Sequence, residues 1–208
     1  MDVECSPYHR LMEFPWYPYT VNEATQNFAS IWKQLFEALQ HCHANSIIHR
    51  DVAPKNILMT ETKDEIVLAD FGLAYIVKNG IYPTDRCGTS HYMAPVSKVL
   101  LLFKFFKELM LGEEYDFKVD IWSAGATMYE MIVKEEIFYE NEEQTCSMFI
   151  SWEDTRTFIE SACFVVEEEE KELLLWILQP AKLRPTATEV LNHPYFKVNK
   201  IFTKKRSS

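Results

Sequence analysis

Between Val119 and Val133, apolar side chains fall on nearly every face of what reads as a helix: Ile121, Trp122, Ala124, Met128, Tyr129, Met131 and Ile132. A segment of this kind is stable only when protein surrounds it, so the rest of the chain must be built around it. A partner stands upstream. Phe28, Ile31, Trp32, Leu35, Phe36 and Leu39 recur at i, i+3, i+4 and i+7, which predicts a helix from about Asn22 to His43 with one face toward the core. A third helix is expected where Glu167 to Glu170 precede the run Leu173 to Leu178, because negative charge in a first turn complements the helix dipole; the acidic run reads as a solvated helix start. A last helix over Thr186 to Leu191 follows Pro185 and stops at His193 and Pro194. Pro15 and Pro18 make the stretch before the first helix irregular, and Ile66 to Leu68 reads as a short buried strand among turn residues. With 14 Phe, 10 Tyr and 5 Trp against only 5 Gly in 208 residues, the body is aromatic-packed and mainly α with short β segments.

Acidic residues outnumber basic ones, 31 to 21, for a formal net charge of −10, so the long-range field repels phosphate backbones and anionic lipid. Nucleic acid and membrane surfaces are therefore not expected partners. The one basic cluster, Lys204, Lys205 and Arg206, lies in a tail of residues 197–208 and reads as a solvated terminus. The 5 cysteines are scattered and form no CxxC pair, which predicts neither a disulfide framework nor a zinc site and fits an intracellular compartment, cytoplasm or nucleus. The acidic Asp2 and Glu4 do not resemble a leader, and no apolar run is long enough to span a bilayer. His41 and His43 flank Cys42, but neighbours on a helix do not share a face, so they read as packing or capping residues, not a metal site.

The chemistry is concentrated in two strings. His49 to Asn56 reads HRDVAPKN, and a short strand later leads into Asp70, Phe71 and Gly72, which read DFG. Phosphoryl transfer needs one carboxylate at the nucleophilic hydroxyl, plus an amide oxygen and a second carboxylate for the metal ions that bridge nucleotide phosphates. Asp51, Asn56 and Asp70 fill those three roles. With these strings the chain resembles the protein kinase family. Cys87 to Pro95 (CGTSHYMAP) is similar to the substrate-binding segment of serine/threonine kinases, Asp120 to Gly125 (DIWSAG) to the start of their large central helix, and Arg184 to Phe196 (RPTATEVLNHPYF) to their closing helix. LMLG after Glu108 and the closing HPYF are similar to the cyclin-dependent branch, whereas CGTSHYMAP is not.

The resemblance implies a protein kinase-like C-terminal lobe over residues 15–196, with residues 1–14 as interlobe connector and at most the last strand of a small lobe. It implies ATP and Mg2+ as cofactors and a protein substrate. Asp51 would orient the substrate hydroxyl, with Thr89 bonded to it. Asn56 and Asp70 would bind magnesium. Leu58 would lie under the adenine, with a plain core leucine as the alternative, and Glu13 would lie beside the adenine. Arg50 marks the class in which an anionic group fastens the activation loop. Where relatives often carry a phosphorylated threonine this chain has Asp85, read either as a permanent substitute, with Thr84 as a modification site, or as a solvated loop carboxylate.

Three departures qualify that picture. The lysine usually found two residues after the catalytic Asp is Ala53, and Lys55, two further on, is the candidate surrogate for its charge, the alternative being a solvated lysine. The 48 residues before His49 hold no GxGxxG and no strand lysine, so the nucleotide-covering lobe is expected to be absent, autonomous turnover weak or nil, and a face left uncovered for a protein partner. Finally, Pro95 is followed by Val96 where the family has Glu. Joining Pro95 to Glu108 restores that Glu and the spacing to Asp120, so residues 96–107 (VSKVLLLFKFFK) read as an insertion, either a retained intron or a real loop, and Glu108 is expected to pair with Arg184. The rival reading of the whole chain is a non-catalytic, pseudokinase-like binding module or a fragment of a longer reading frame.

Overall fold

The apolar stripe from Phe28 to Leu39 can be satisfied only by a helix laid on a core, and the computed structural model places it in α1 (Val21–Ala44), with Phe28, Ile31, Trp32, Leu35, Phe36 and Leu39 all buried. The structure describes residues 8–10, 21–60, 65–85, 87–94, 114–133, 152–163 and 167–198. Phe28 and Trp32, one turn apart, stack with centroids 5.8 Å apart. The helix ends where Asn45 and Ser46 turn the chain: Asn45 donates its side-chain amide to the His41 carbonyl at 2.8 Å, and Ser46 takes a left-handed φ of 60°.

Two small antiparallel sheets follow. β2 (Ile47–Ile48) pairs with β5 (Tyr75–Ile76), and β3 (Ile57–Thr60) lies between β1 (Tyr8–Arg10) and β4 (Ile66–Leu68). The register Ile57↔Leu68 puts the start of β3 beside the end of β4, so whatever precedes Ile57 and follows Leu68 meets at one edge. β4 is tied to α1 by the Ile66 N–H, which donates to Gln34 Oε1 at 3.0 Å.

α2 (Lys118–Val133) is the surrounded helix that its composition demands: every residue from Asp120 to Tyr129 is buried. Asp116 caps its start, accepting the Lys118 N–H at 2.9 Å. α3 (Trp152–Ala162), which no periodicity announced, lies against it, with Tyr129 and Phe158 stacked at 5.6 Å. α4 (Glu168–Ile177) starts in the acidic run, with Glu167 to Glu169 exposed as expected. Glu170 departs from that expectation. It is buried and accepts a hydrogen bond from Tyr195 Oη at 2.9 Å. Burial pushes its carboxyl above the ordinary range, against the lowering effect of that bond.

α5 (Ala187–Leu191) opens with a capping box in which Thr186 and Glu189 satisfy each other's backbone donors. The chain does not stop at Pro194: one more short helix, α6 (Pro194–Val198), returns Tyr195 and Phe196 to the core, Phe196 edge-on to Phe36 at 6.3 Å. The mainly α body with short strands is as read from the sequence. Residues 96–107 and 199–208, with Glu13 and Glu108, lie outside the described residues.

α2 and α4 approach so closely at Gly125 that a Cβ built there would sit 2.4 Å from Ile177 Cγ2 and 3.0 Å from a Leu178 methyl. Gly125→Ala should therefore force the two helices apart against a well-packed core, at about 1 to 3 kcal/mol. Urea denaturation monitored by the tryptophans should show a lower midpoint; an unchanged midpoint would mean that α2 and α4 have room for a methyl group at Gly125.

Candidate functional site

The loop after β2 is built on one buried carboxylate. Asp120, in the first turn of α2 and with no solvent exposure, accepts the His49 N–H at 2.8 Å on Oδ2 and the Arg50 N–H at 2.8 Å on Oδ1, and His43 Nε2 donates to Oδ2 at 2.9 Å. A buried charge is tolerated only when it is surrounded by donors in this way. His43, read from the sequence as a packing or capping residue, thus belongs to the scaffold of the site. His49 is also buried, its Nδ1 accepting the Asp51 N–H at 3.3 Å and its Nε2 donating to the Ala69 carbonyl at 3.0 Å.

Held at both ends of its backbone, the loop keeps Arg50 at φ 69°, a left-handed conformation that costs about 1 to 3 kcal/mol outside glycine. The turn aims Arg50 one way and Asp51 the other. Asp51 is buried. Its Oδ1 accepts the Thr89 N–H at 2.7 Å and the Thr89 hydroxyl at 2.5 Å, and its Oδ2 accepts Asn56 Nδ2 at 2.8 Å and faces Lys55 Nζ at 3.2 Å. Burial raises the Asp51 carboxyl, but the bonds from Thr89, Lys55 and Asn56 outweigh it and hold the group below its ordinary value. Four donors fill the roughly four lone-pair positions that a carboxylate offers. Three residues singled out in the sequence, Asp51, Lys55 and Thr89, are therefore in direct contact. Ala53, where a lysine was expected, is fully buried.

Asn56 closes a 3-10 turn (Pro54–Asn56) just before β3, and its carbonyl accepts the Ala69 N–H at 2.8 Å. That bond continues the β3–β4 ladder by one step and pairs Asn56 with Ala69, the residue before Asp70. Asp70 has φ 61°, is exposed, and accepts only the Gly72 N–H, at 3.2 Å, among the described bonds. One amide and one free carboxylate are too few for a resident cation, and suit Mg2+ that takes its remaining oxygens from phosphates and water. Leu58, half-buried, lies opposite Val67 in the register, and Val67 is 43% exposed, so the sheet offers an apolar face next to the polar edge.

Arg50 gathers the segment that follows β5. Its Nε donates to the Leu73 carbonyl at 2.6 Å, its guanidinium lies over Tyr75 at 5.4 Å, and its Nη1 donates to Asp85 Oδ1 at 2.8 Å and to Tyr115 Oη at 3.0 Å. The Arg50–Asp85 contact anticipated from the sequence is thus present, while Tyr115 was not anticipated. Gly88 lets the segment pass: at φ 112°, any Cβ would lie 2.4 Å from the Arg50 carbonyl oxygen.

At the far end, Arg184 is buried, donates to the Gln179 and Lys118 carbonyls at 3.0 and 2.8 Å, and stacks over Trp122 at 5.0 Å, yet its Nη2 has no partner among the described residues. Burial draws it down to about 9.

Asp120→Asn exchanges one accepting oxygen for an amide that faces donors. The expected cost is on the order of 2 kcal/mol, read as a lower denaturation midpoint. An equal midpoint would show that the carboxylate is not what holds the loop.

The model of the protein kinase domain matches residues 4–196. The SNF-related serine/threonine-protein kinase of Homo sapiens is 32% identical over 165 residues, covering 78% of this chain and 19% of that protein. The serine/threonine-protein kinase cds1 of Schizosaccharomyces pombe is 34% identical over 176 residues, 82% of this chain and 36% of the relative. The chain thus spans 19% and 36% of the length of these two curated relatives. Among solved structures, the autoinhibited serine kinase domain of the giant muscle protein titin superposes with a TM-score of 0.65 at 27% identity, over 83% of this chain and 50% of that one.

Proposed function

The chain belongs to the protein kinase family, and from that premise we propose that it binds ATP with magnesium and transfers the terminal phosphoryl group to serine or threonine hydroxyls of proteins. The observation that carries this reading is the double hydrogen bond from Thr89 to Asp51, which brings the substrate-binding segment and the hydroxyl-orienting carboxylate together. Asp51 accepts the substrate hydroxyl. Asn56 and Asp70 would hold magnesium, which would supply positive charge against the phosphates. Leu58 and Val67 would lie under the adenine.

Lys55 has a specific part. With the four acceptor positions of Asp51 filled, a substrate hydroxyl needs one of them vacated, and Lys55, 41% exposed in its side chain, is the donor freest to leave. It moves to the terminal phosphate and so supplies the charge that Ala53 lacks. Thermal shift tests both points without turnover. Mg·ATP at 100 times its Kd should stabilise the protein by about 2.7 kcal/mol. Lys55→Ala should remove most of the advantage of ATP over ADP. Equal ATP and ADP shifts in the unaltered protein would exclude a contact from Lys55 to the transferred phosphate.

A second reading, a nucleotide-independent binding module, is favoured by the exposed apolar side chains Phe71, Leu73 and Ile76 beside the site. A complete lack of Mg·ATP stabilisation would select it. The free thiols Cys42, Cys87 and Cys163 suit an intracellular, reducing setting.

We propose Glu108 as the partner of Arg184, because joining Pro95 to Glu108 in the sequence restores the family's Glu. A buried guanidinium with an orphan nitrogen calls for a carboxylate. Glu108→Gln should destabilise the fold by about 3 kcal/mol in chemical denaturation, the cost of breaking a buried pair. No loss would assign Arg184 another partner.

A further inference from the structure

Tyr115 lies on the short stretch before α2, five residues from Asp120 and outside every motif read from the sequence. Its contacts are not those of a packing residue. The backbone N–H donates to the Pro83 carbonyl at 3.2 Å, and the hydroxyl donates to the Asp85 carbonyl at 2.7 Å while accepting from Arg50 Nη1 at 3.0 Å. Two residues on, Phe117 meets Tyr82 edge to face at 6.1 Å. The segment from Tyr82 to Asp85 is therefore zipped to the foot of α2, and one phenol joins that zipper to the catalytic loop.

The ion pair between Arg50 and Asp85 cannot do this alone. The Asp85 side chain is 62% exposed, and pairs this wet contribute little. The Tyr115 hydroxyl is better shielded. Burial pushes it up to about 12, so it stays protonated and keeps donating at any physiological pH. Arg50 uses the two protons of one nitrogen for Asp85 and Tyr115, so the three groups act as one unit. Four residues after Asp85 comes Thr89, with both of its bonds to Asp51.

We propose that Tyr115 is a positioning residue whose hydroxyl bolts the segment from Tyr82 to Asp85 onto Arg50 and so keeps Thr89 on Asp51, with no phosphate on the segment. The proposal rests on the reading of Asp51 as the carboxylate that orients the substrate hydroxyl. It makes the substrate-binding segment self-anchored: the anion is the chain's own Asp85, and the clamp that gives it grip is Tyr115.

The test is amide hydrogen exchange on the unmodified full chain and on Tyr115→Phe, which keeps the ring and deletes only the hydroxyl. Exchange of the Thr89 amide and of amides in residues 82–85 should be roughly tenfold faster, the loss of one hydrogen bond to a charged network, while α1 and α2 stay as protected as before. Asp85→Asn, a surface change that leaves the core alone, should loosen Thr89 by a smaller factor, and the double variant should lose no more than Tyr115→Phe by itself. Unchanged Thr89 exchange in Tyr115→Phe would overturn the proposal. So would faster exchange spread evenly through α1 and α2, which would make Tyr115 a plain core residue, or a larger effect from Asp85→Asn. Mg·ATP thermal shift on the same proteins separates this from the kinase reading. Loosened Thr89 with no shift in any protein removes that reading and keeps the bolt; a shift in all of them with unaltered Thr89 does the reverse.

Discussion

The carboxylate of Asp120 is cut off from water, and an isolated charge there would cost more than a fold of this size can spare. It is stable because the backbone N–H groups of His49 and Arg50 and the ring of His43 donate to it. The dependence runs both ways. Those N–H groups would themselves be buried donors without partners, so the loop and the first turn of α2 can form only together. From this mutual requirement come the left-handed turn at Arg50, the opposite headings of Arg50 and Asp51, and the place of the whole site on the core.

Outward from that anchor, each contact is set by the one before it. Asp51 collects Thr89, Asn56 and Lys55; Arg50 collects Leu73, Tyr75, Asp85 and Tyr115. Neighbouring residues thus point opposite ways, Asp51 toward Thr89 and Asn56, Arg50 toward Asp85 and Tyr115. Gly88 is where these meet, since a side chain on it would collide with the carbonyl of Arg50. Geometry around Asp51 is in this way tied to the docking of a segment more than thirty residues downstream.

Asp51, Asn56, Asp70 and Thr89 could be singled out because each sits in a short string at the spacing of the family the chain belongs to, and the structure brings Asp51, Asn56 and Thr89 into contact. α1 was legible because its apolar residues recur at helical spacing, α2 because apolar residues cover nearly every face, and α4 because an acidic first turn precedes an apolar run. α3 was not, since its few apolar positions, such as Phe158 and Ile159, make too short a stripe to stand out. Glu170 looked like its exposed neighbours, and only the arrival of Tyr195 from the C-terminal helix makes it a buried acceptor. His43 and Tyr115 carry no local signal at all: their partners are 77 residues away for His43 and 65 residues away, at Arg50, for Tyr115.

What the amino-acid order determined by itself was the longest helices and the chemical inventory: a surrounded helix, a striped one, and carboxylates, an amide and a hydroxyl at family spacing. Those follow from periodicity and from side-chain chemistry, which are local properties of the chain. Tertiary structure alone decided which polar groups lose water and so must find one another. Burial is a property of everything packed around a residue, and so the triple donation to Asp120, the sequestered Glu170, the buried guanidinium of Arg184 and the phenol of Tyr115 between two loops came into view only when distant segments were brought together.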